Sequence, residues 1–291
     1  MYCNRFASIL VMVIVICSII FCKESKKMNS KDVGMSTSVE WLTHVQSVIA
    51  KQSSGIFSAC DKNSAPVVIE WKKMNIMSSD FAESMKSIWD IACRAYMPVE
   101  IQFLHSFPDV VQNEQYFKSF QPLFAQGVDG VDWEKAEIIM QDILKSHFVF
   151  DPEKLSDVIK KMFADDICFV AVVKDQLTGE ALGFITFIIR ASYAYGDVKV
   201  MSFGVDPLHQ NRGLGKLLMS SIFNIIPSIN RIFLCTRVTN DSALRVYQSW
   251  GFTTDVNPVL DHDFNRDHWS FLEYRADGFN VLQKAAETYR R

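Results

Sequence analysis

The chain has 291 residues, of which 49% are hydrophobic and 22% charged, with 12 glycines and 8 prolines. That composition excludes a disordered, collagenous or low-complexity chain and suffices for one large domain or two small ones, each with its own core. Thirty Lys and Arg stand against 33 Asp and Glu, a formal net charge of −3, so the molecule as a whole has no electrostatic footing for nucleic acid. Seven cysteines with no C-x-x-C pair argue against a zinc ribbon or a disulfide framework.

Phe6 to Cys22 is apolar apart from Ser8 and Ser18, seventeen residues at the short edge of a membrane span. Its large terminal residues, Ile-Ile-Phe before Cys22, do not suit a signal-peptidase site. One basic residue precedes it (Arg5) and four follow (Lys23, Lys26, Lys27, Lys31). Residues 1–27 therefore read as a hydrophobic leader, a single-span anchor that leaves the body cytoplasmic at the inner face of the membrane. The alternatives are a natural start at Met28 or Met35 and a cleaved signal. Residues 28–64 read as a polar linker with one short helix around Val39 to Ile49, and residues 65–291 as the folded domain.

Val67 to Trp71 is a short β-type run. Asp80 suits a helix start, with Met85, Ile88, Trp89, Ala92 and Cys93 at helical spacing. Residues 98–165 read as helical segments separated by breakers, among them one after Asp132 and one after Asp151-Pro152. The period then changes to that of strands over Ile167 to Val173, Ala181 to Ile189 and Val198 to Val205, a meander with short turns. A helix from about Gly213 to Pro227, a strand from Arg231 to Val238, a helix from Ser242 to Trp250 and a strand from His268 to Tyr274 complete the chain. The order predicts an α+β fold, a mixed, mostly antiparallel sheet flanked by helices, with an extended helical segment between the first and second strands.

The sharpest segment is Gln210-Asn-Arg-Gly213-Leu-Gly215-Lys216, leaving a strand and entering a helix. Free amides at a helix N-terminus with little side-chain bulk form an anion site. A P-loop would need Gly at 210 and Ser or Thr at 217, where Gln210 and Leu217 stand; the dinucleotide fingerprint would need Gly or Ala at 218, where Leu218 stands. After one more strand comes Asn240-Asp-Ser-Ala243-Leu-Arg-Val-Tyr247-Gln-Ser-Trp250-Gly251-Phe252, a capped helix with Tyr247 on its inward face.

Together these segments resemble the GNAT superfamily of acyl-CoA-dependent N-acyltransferases, and the resemblance spans about residues 65–291. It implies acetyl-CoA as co-substrate. Its diphosphate would lie on the turn opened by Gln210, against the amides of Asn211, Arg212, Gly213, Leu214, Gly215 and Lys216, with the charges of Arg212 and Lys216 added. The strands Val198 to Val205 and Arg231 to Val238 would lie side by side and splay apart at one end, and the pantetheine arm would bond the backbone of Phe203, Gly204 and Val205. Tyr247 would act as general acid, and Asn240 would contact the arm or cap its helix. The implied reaction is direct transfer of acetyl to a primary amine of a small molecule or peptide; the alternative is a non-catalytic acyl-CoA-binding module anchored at the membrane.

The family's strand glutamate is missing from Lys199 to Val205, so no general base is assigned; Asp197, Glu273 and His209 are candidates for a water relay. Residues 96–150 are expected to wall the acceptor site. Asp261, Asp263, Asp267, Glu273 and Asp277 oppose only Arg266 and Arg275 within seventeen residues, which is either an acidic mouth favouring a cationic amine or a solvated hairpin. His262 and His268 match no standard metal-ligand spacing, so no metal is expected.

Overall fold

The computed structural model describes residues 40–41, 43–47, 52–74, 79–113, 115–125, 127–148, 167–190, 193–226, 228–254, 267–276 and 281–288. Eight strands form one sheet: β1 (Ser54–Cys60), β2 (Pro66–Met74), β3 (Ile167–Asp175), β4 (Ala181–Ile189), β5 (Asp197–Val205), β6 (Arg231–Arg237), β7 (Thr253–Thr254) and β8 (Trp269–Arg275). Their spatial order is β1-β2-β3-β4-β5-β6-β8-β7, with every neighbouring pair antiparallel except β5 and β6. The helices are α1 (Ser79–Ser106), the single turn α2 (Val110–Asn113), α3 (Trp133–Phe148), α4 (Leu214–Ile225), α5 (Asp241–Ser249) and α6 (Val281–Thr288).

β3 and β4 are apolar along most of their length because both faces of the sheet are covered. On β3, Ile167, Phe169, Ala171 and Val173 enter one core, while Cys168 and Val170 enter the other, as alternate residues of a strand must. The first core is closed by Leu214, Leu217, Leu218 and Ile222 of α4, and the second by Met85, Ile88, Ile91 and Ala92 of α1. A third core, with Phe103, Phe117, Phe120 and Met140 fully buried, holds the helical segment between β2 and β3 together.

The α+β architecture, the long helical segment and the meander agree with the sequence reading. Other parts differ. The stretch expected as a polar linker contains β1, and Trp41 and Val45 from its helical residues are buried in the first core. The helix expected from Asp80 is a single element that runs through Pro98 to Ser106. The expected membrane-spanning helix is corrected: among the described residues no helix is long and apolar enough to cross a membrane. The stretch 6–22 on which it was placed, and the segment after Asp151-Pro152, lie outside the described residues.

Candidate active site

β5 and β6 are paired only through Asp197–Arg231, Val198–Ile232 and Lys199–Phe233. Beyond these pairs both strands continue, to Val205 and Arg237, without a ladder between them. The separation begins beside a register shift between β4 and β5, where Thr186 faces Ser202 but Phe187 faces Val200, leaving Met201 as the extra residue. Met201 is 37% exposed although it lies on a central strand.

The glycine-bearing turn closes one side of the wide end of this gap. Asn211 (φ 64°) and Gly213 (φ 81°) are both left-handed, and Gly213 is the N-cap of α4. The second glycine has a different reason. A Cβ on Gly215 would stand 3.2 Å from the Phe203 ring and 3.4 Å from the Trp250 ring, so its absence lets α4 start hard against the end of β5. Gln210 donates from Nε2 to the Val205 carbonyl at 3.4 Å and ties the turn to the strand.

Arg212, expected to face the diphosphate, is held elsewhere. Its Nε donates to Asp61 Oδ2 at 2.6 Å, its Nη1 lies 3.0 Å from His209 Nδ1, and its carbonyl accepts from the Lys62 amide at 2.8 Å. Asp61 belongs to the β1–β2 hairpin and also accepts from the amides of Asn63 and Ala65. Burial opposes its ionisation, but Arg212 and those amides outweigh it and hold the carboxyl below its ordinary 3.8. Asp206, at the root of the turn, is likewise buried, and Arg94 of α1 together with the Leu208 amide brings it below 3.8. Lys62 and Lys216 have no carboxylate partner among the described residues.

Tyr247 lies on α5, the helix that follows β6. It is 7% exposed and packs on Phe203 (ring centroids 6.2 Å), Trp250 (5.8 Å) and Phe252 (5.6 Å). Burial, followed by the neighbouring Tyr96 and Cys235, raises its pKa and keeps the hydroxyl protonated. Asn240 caps α5 by accepting from the Ala243 amide at 3.2 Å and donates to Thr236 Oγ1 at 3.1 Å, so both ends of its amide are engaged.

Sequence reasoning missed what α1 does here. The Phe203 amide donates to the Tyr96 hydroxyl at 2.8 Å, and that hydroxyl donates back to the Phe203 carbonyl at 3.1 Å. Further along, Glu100 grips Arg237 with both oxygens, 3.1 Å to Nε and 2.9 Å to Nη2, while the guanidinium lies 3.9 Å from the Phe103 ring centroid and 4.0 Å from that of Trp269. No local pattern in the sequence signals these partners.

The candidate bases are also engaged. Asp197 is bound by Arg231 at the closed end of the gap, and burial raises its pKa despite that partner. Glu273 accepts from Arg231 at 3.2 Å and from Arg275 at 2.7 Å. His209 lies in the turn, 3.8 Å from Glu180. Of the acidic stretch, Asp261, Asp263 and Asp277 lie outside the described residues, as does His262. His268 packs edge-on against Phe103 and Phe107, and among the described residues no cluster of His, Cys, Asp and Glu could hold a metal.

Among the solved structures that the chain resembles are two at low identity. The PaiA N-acetyltransferase from Thermoplasma acidophilum in complex with coenzyme A is 15% identical, with 71% of this chain and 98% of that one covered and a TM-score of 0.40. The GNAT domain of S. lividans PAT is 14% identical, with 76% and 96% covered and a TM-score of 0.39. No curated protein sequence matches the chain. Residues 136–252 match the acetyltransferase (GNAT) family, a segment that takes in the turn, the gap and Tyr247. Through that segment the chain is similar to the acetyltransferases of the GNAT family.

Proposed function

We propose that this protein is an N-acetyltransferase that holds acetyl-CoA in the gap between β5 and β6 and passes the acetyl group directly to a primary amine of a small molecule or peptide. One observation carries the reading: two parallel strands that part after Lys199 and Phe233, with a left-handed amide turn following the first and a buried tyrosine on the helix following the second. The amides from Asn211 to Lys216 and the positive end of α4 hold the diphosphate. Lys216 adds charge, and Arg212 holds the turn in shape through Asp61. The backbone of Phe203, Gly204 and Val205 takes the pantetheine arm.

In the reaction, the amine lone pair adds to the thioester carbonyl carbon, and a β5 amide stabilises the oxyanion. Collapse breaks the C–S bond, the departing thiolate takes its proton from Tyr247, and the nitrogen loses its proton to water. Holding amine and thioester side by side supplies much of the acceleration. A second reading, a module that binds acyl-CoA without turnover, is favoured by Asp197 and Glu273 both being held by Arg231.

Calorimetric titration of acetyl-CoA into the full chain, followed by an assay of CoA release with a panel of amines, tests the proposal. Saturable binding near one site per chain is expected. Tyr247→Phe should keep that affinity and lower turnover by about 10²-fold or more. Binding with no CoA release for any amine in the panel would favour the binding module, and absence of binding would refute both readings.

A further inference from the structure

In this structure the backbone of Phe203 is already occupied. The Tyr96 hydroxyl accepts from its N–H and donates to its C=O, the same double exchange that a facing residue makes in an antiparallel ladder. We infer that Tyr96 is a placeholder for the coenzyme: its hydroxyl keeps the Phe203 donor and acceptor satisfied until a carbonyl of acetyl-CoA takes the N–H, and it turns out of the gap when that happens. This rests on the reading that the coenzyme arm lies between β5 and β6.

The physical argument is one of competition. An N–H has a single proton, so a coenzyme carbonyl that bonds the Phe203 amide must displace the hydroxyl now 2.8 Å away. Helix α1 is not free to withdraw as a body. Two residues before Tyr96, Arg94 is bonded to Asp206; four residues after it, Glu100 grips Arg237; and Ala95 Cβ stands 3.2 Å from the Cβ position of Gly204. The movement therefore falls on the Tyr96 side chain. Desolvation pushes its hydroxyl up to about 12, so at neutral pH it keeps the proton it needs to serve as donor and acceptor at once. Without it, Phe203 would present an unpaired amide and carbonyl in the empty gap.

The sign of the effect is specific. Removing only the hydroxyl takes a competitor from the coenzyme and leaves the empty site less satisfied, so Tyr96→Phe should bind acetyl-CoA about five- to tenfold more tightly, with faster association. A residue that merely supports the fold would not tighten binding. The experiment is calorimetry and stopped-flow binding on the full chain and its Tyr96→Phe variant, with acetyl-CoA and with CoA. An equal gain for both ligands assigns the Phe203 amide to a carbonyl of the arm; a larger gain for acetyl-CoA assigns it to the thioester carbonyl. Unchanged or weaker binding in the variant overturns the inference while leaving the coenzyme site in place. Failure of both proteins to bind either ligand overturns the site reading, and the inference with it. Spectra of the wild-type chain carrying ¹³C-labelled tyrosine provide a check independent of the variant's folding: a Tyr96 resonance unmoved at acetyl-CoA saturation also overturns the proposal.

Discussion

Gly213 and Gly215 lie two residues apart in one turn and serve different physical needs. Gly213 has open space around it, the nearest atom to an added Cβ being Lys62 Cβ at 3.5 Å, so what it supplies is its φ of 81°. A left-handed conformation costs an L residue about 1–2 kcal/mol, less for Asn, whose short polar side chain suits it. Gly213→Ala should therefore lower stability by about 1–2 kcal/mol in urea unfolding, and Gly213→Asn by less despite its greater bulk. The reverse order would mean that space, not dihedral, sets the requirement. Gly213→Asp should fold like the Asn variant and lose acetyl-CoA binding, because it places negative charge where the diphosphate is proposed to lie. Both glycines were legible in the sequence as a turn entering a helix. The role of Arg212 was not, because its partner Asp61 is 151 positions away and only the folded sheet brings the hairpin to the turn.

At the scale of elements, what could be read locally was read well. β3 and β4 of the meander advertise themselves by their runs of Val, Ile and Phe, and α5 by its Asn240 cap and the glycine after it. β1 escaped because Ser-Gly-Ile-Phe-Ser-Ala-Cys is an edge strand with a weak apolar face, and its only pairing is to β2. α1 continues through Pro98 for a tertiary reason. Proline removes one helical bond, but Arg94 on one side and Glu100 on the other fasten α1 to Asp206 at the end of β5 and to Arg237 of β6. Glu100 is the stronger test of this, because it and Arg237 are 8% and 4% exposed. Truncating one member of a buried pair strands the other, so Glu100→Ala should cost about 3–5 kcal/mol in denaturant unfolding. Glu100→Ala with Arg237→Met should recover most of that loss, since no buried charge then remains; equal destabilisation of the single and double variants would refute the account.

For the molecule as a whole, the contacts that shape the site cross the boundary of its family-matched segment. Asp61, Arg94, Tyr96 and Glu100 all precede residue 136, and they bond respectively to Arg212, Asp206, Phe203 and Arg237 within 136–252. The hairpin and α1 thus act as a brace without which the gap-forming segment would keep its strands but lose the set of its turn. Three of these four links depend on carboxylates, and two of those, Asp61 and Asp206, give the brace a pH dependence of defined sign. Asp61 and Asp206 both titrate below 3.8 in the folded chain, so their stabilisation is fully present above that value and is lost as pH falls through their depressed pKa. Asp197, whose pKa is raised, works the other way: its ionisation costs stability as pH rises through its range, which partly offsets the first two. The urea midpoint of the wild-type chain should therefore hold near neutrality and fall below about pH 4. Asp61→Asn keeps the size of the side chain and removes its charge. Its midpoint should begin lower at pH 7 and decline less steeply into acid, the two curves converging as Asp61 becomes protonated in the wild type. A variant that starts lower but runs parallel to the wild type down to pH 3 would place the acid sensitivity elsewhere and reduce the hairpin-to-turn link to packing alone.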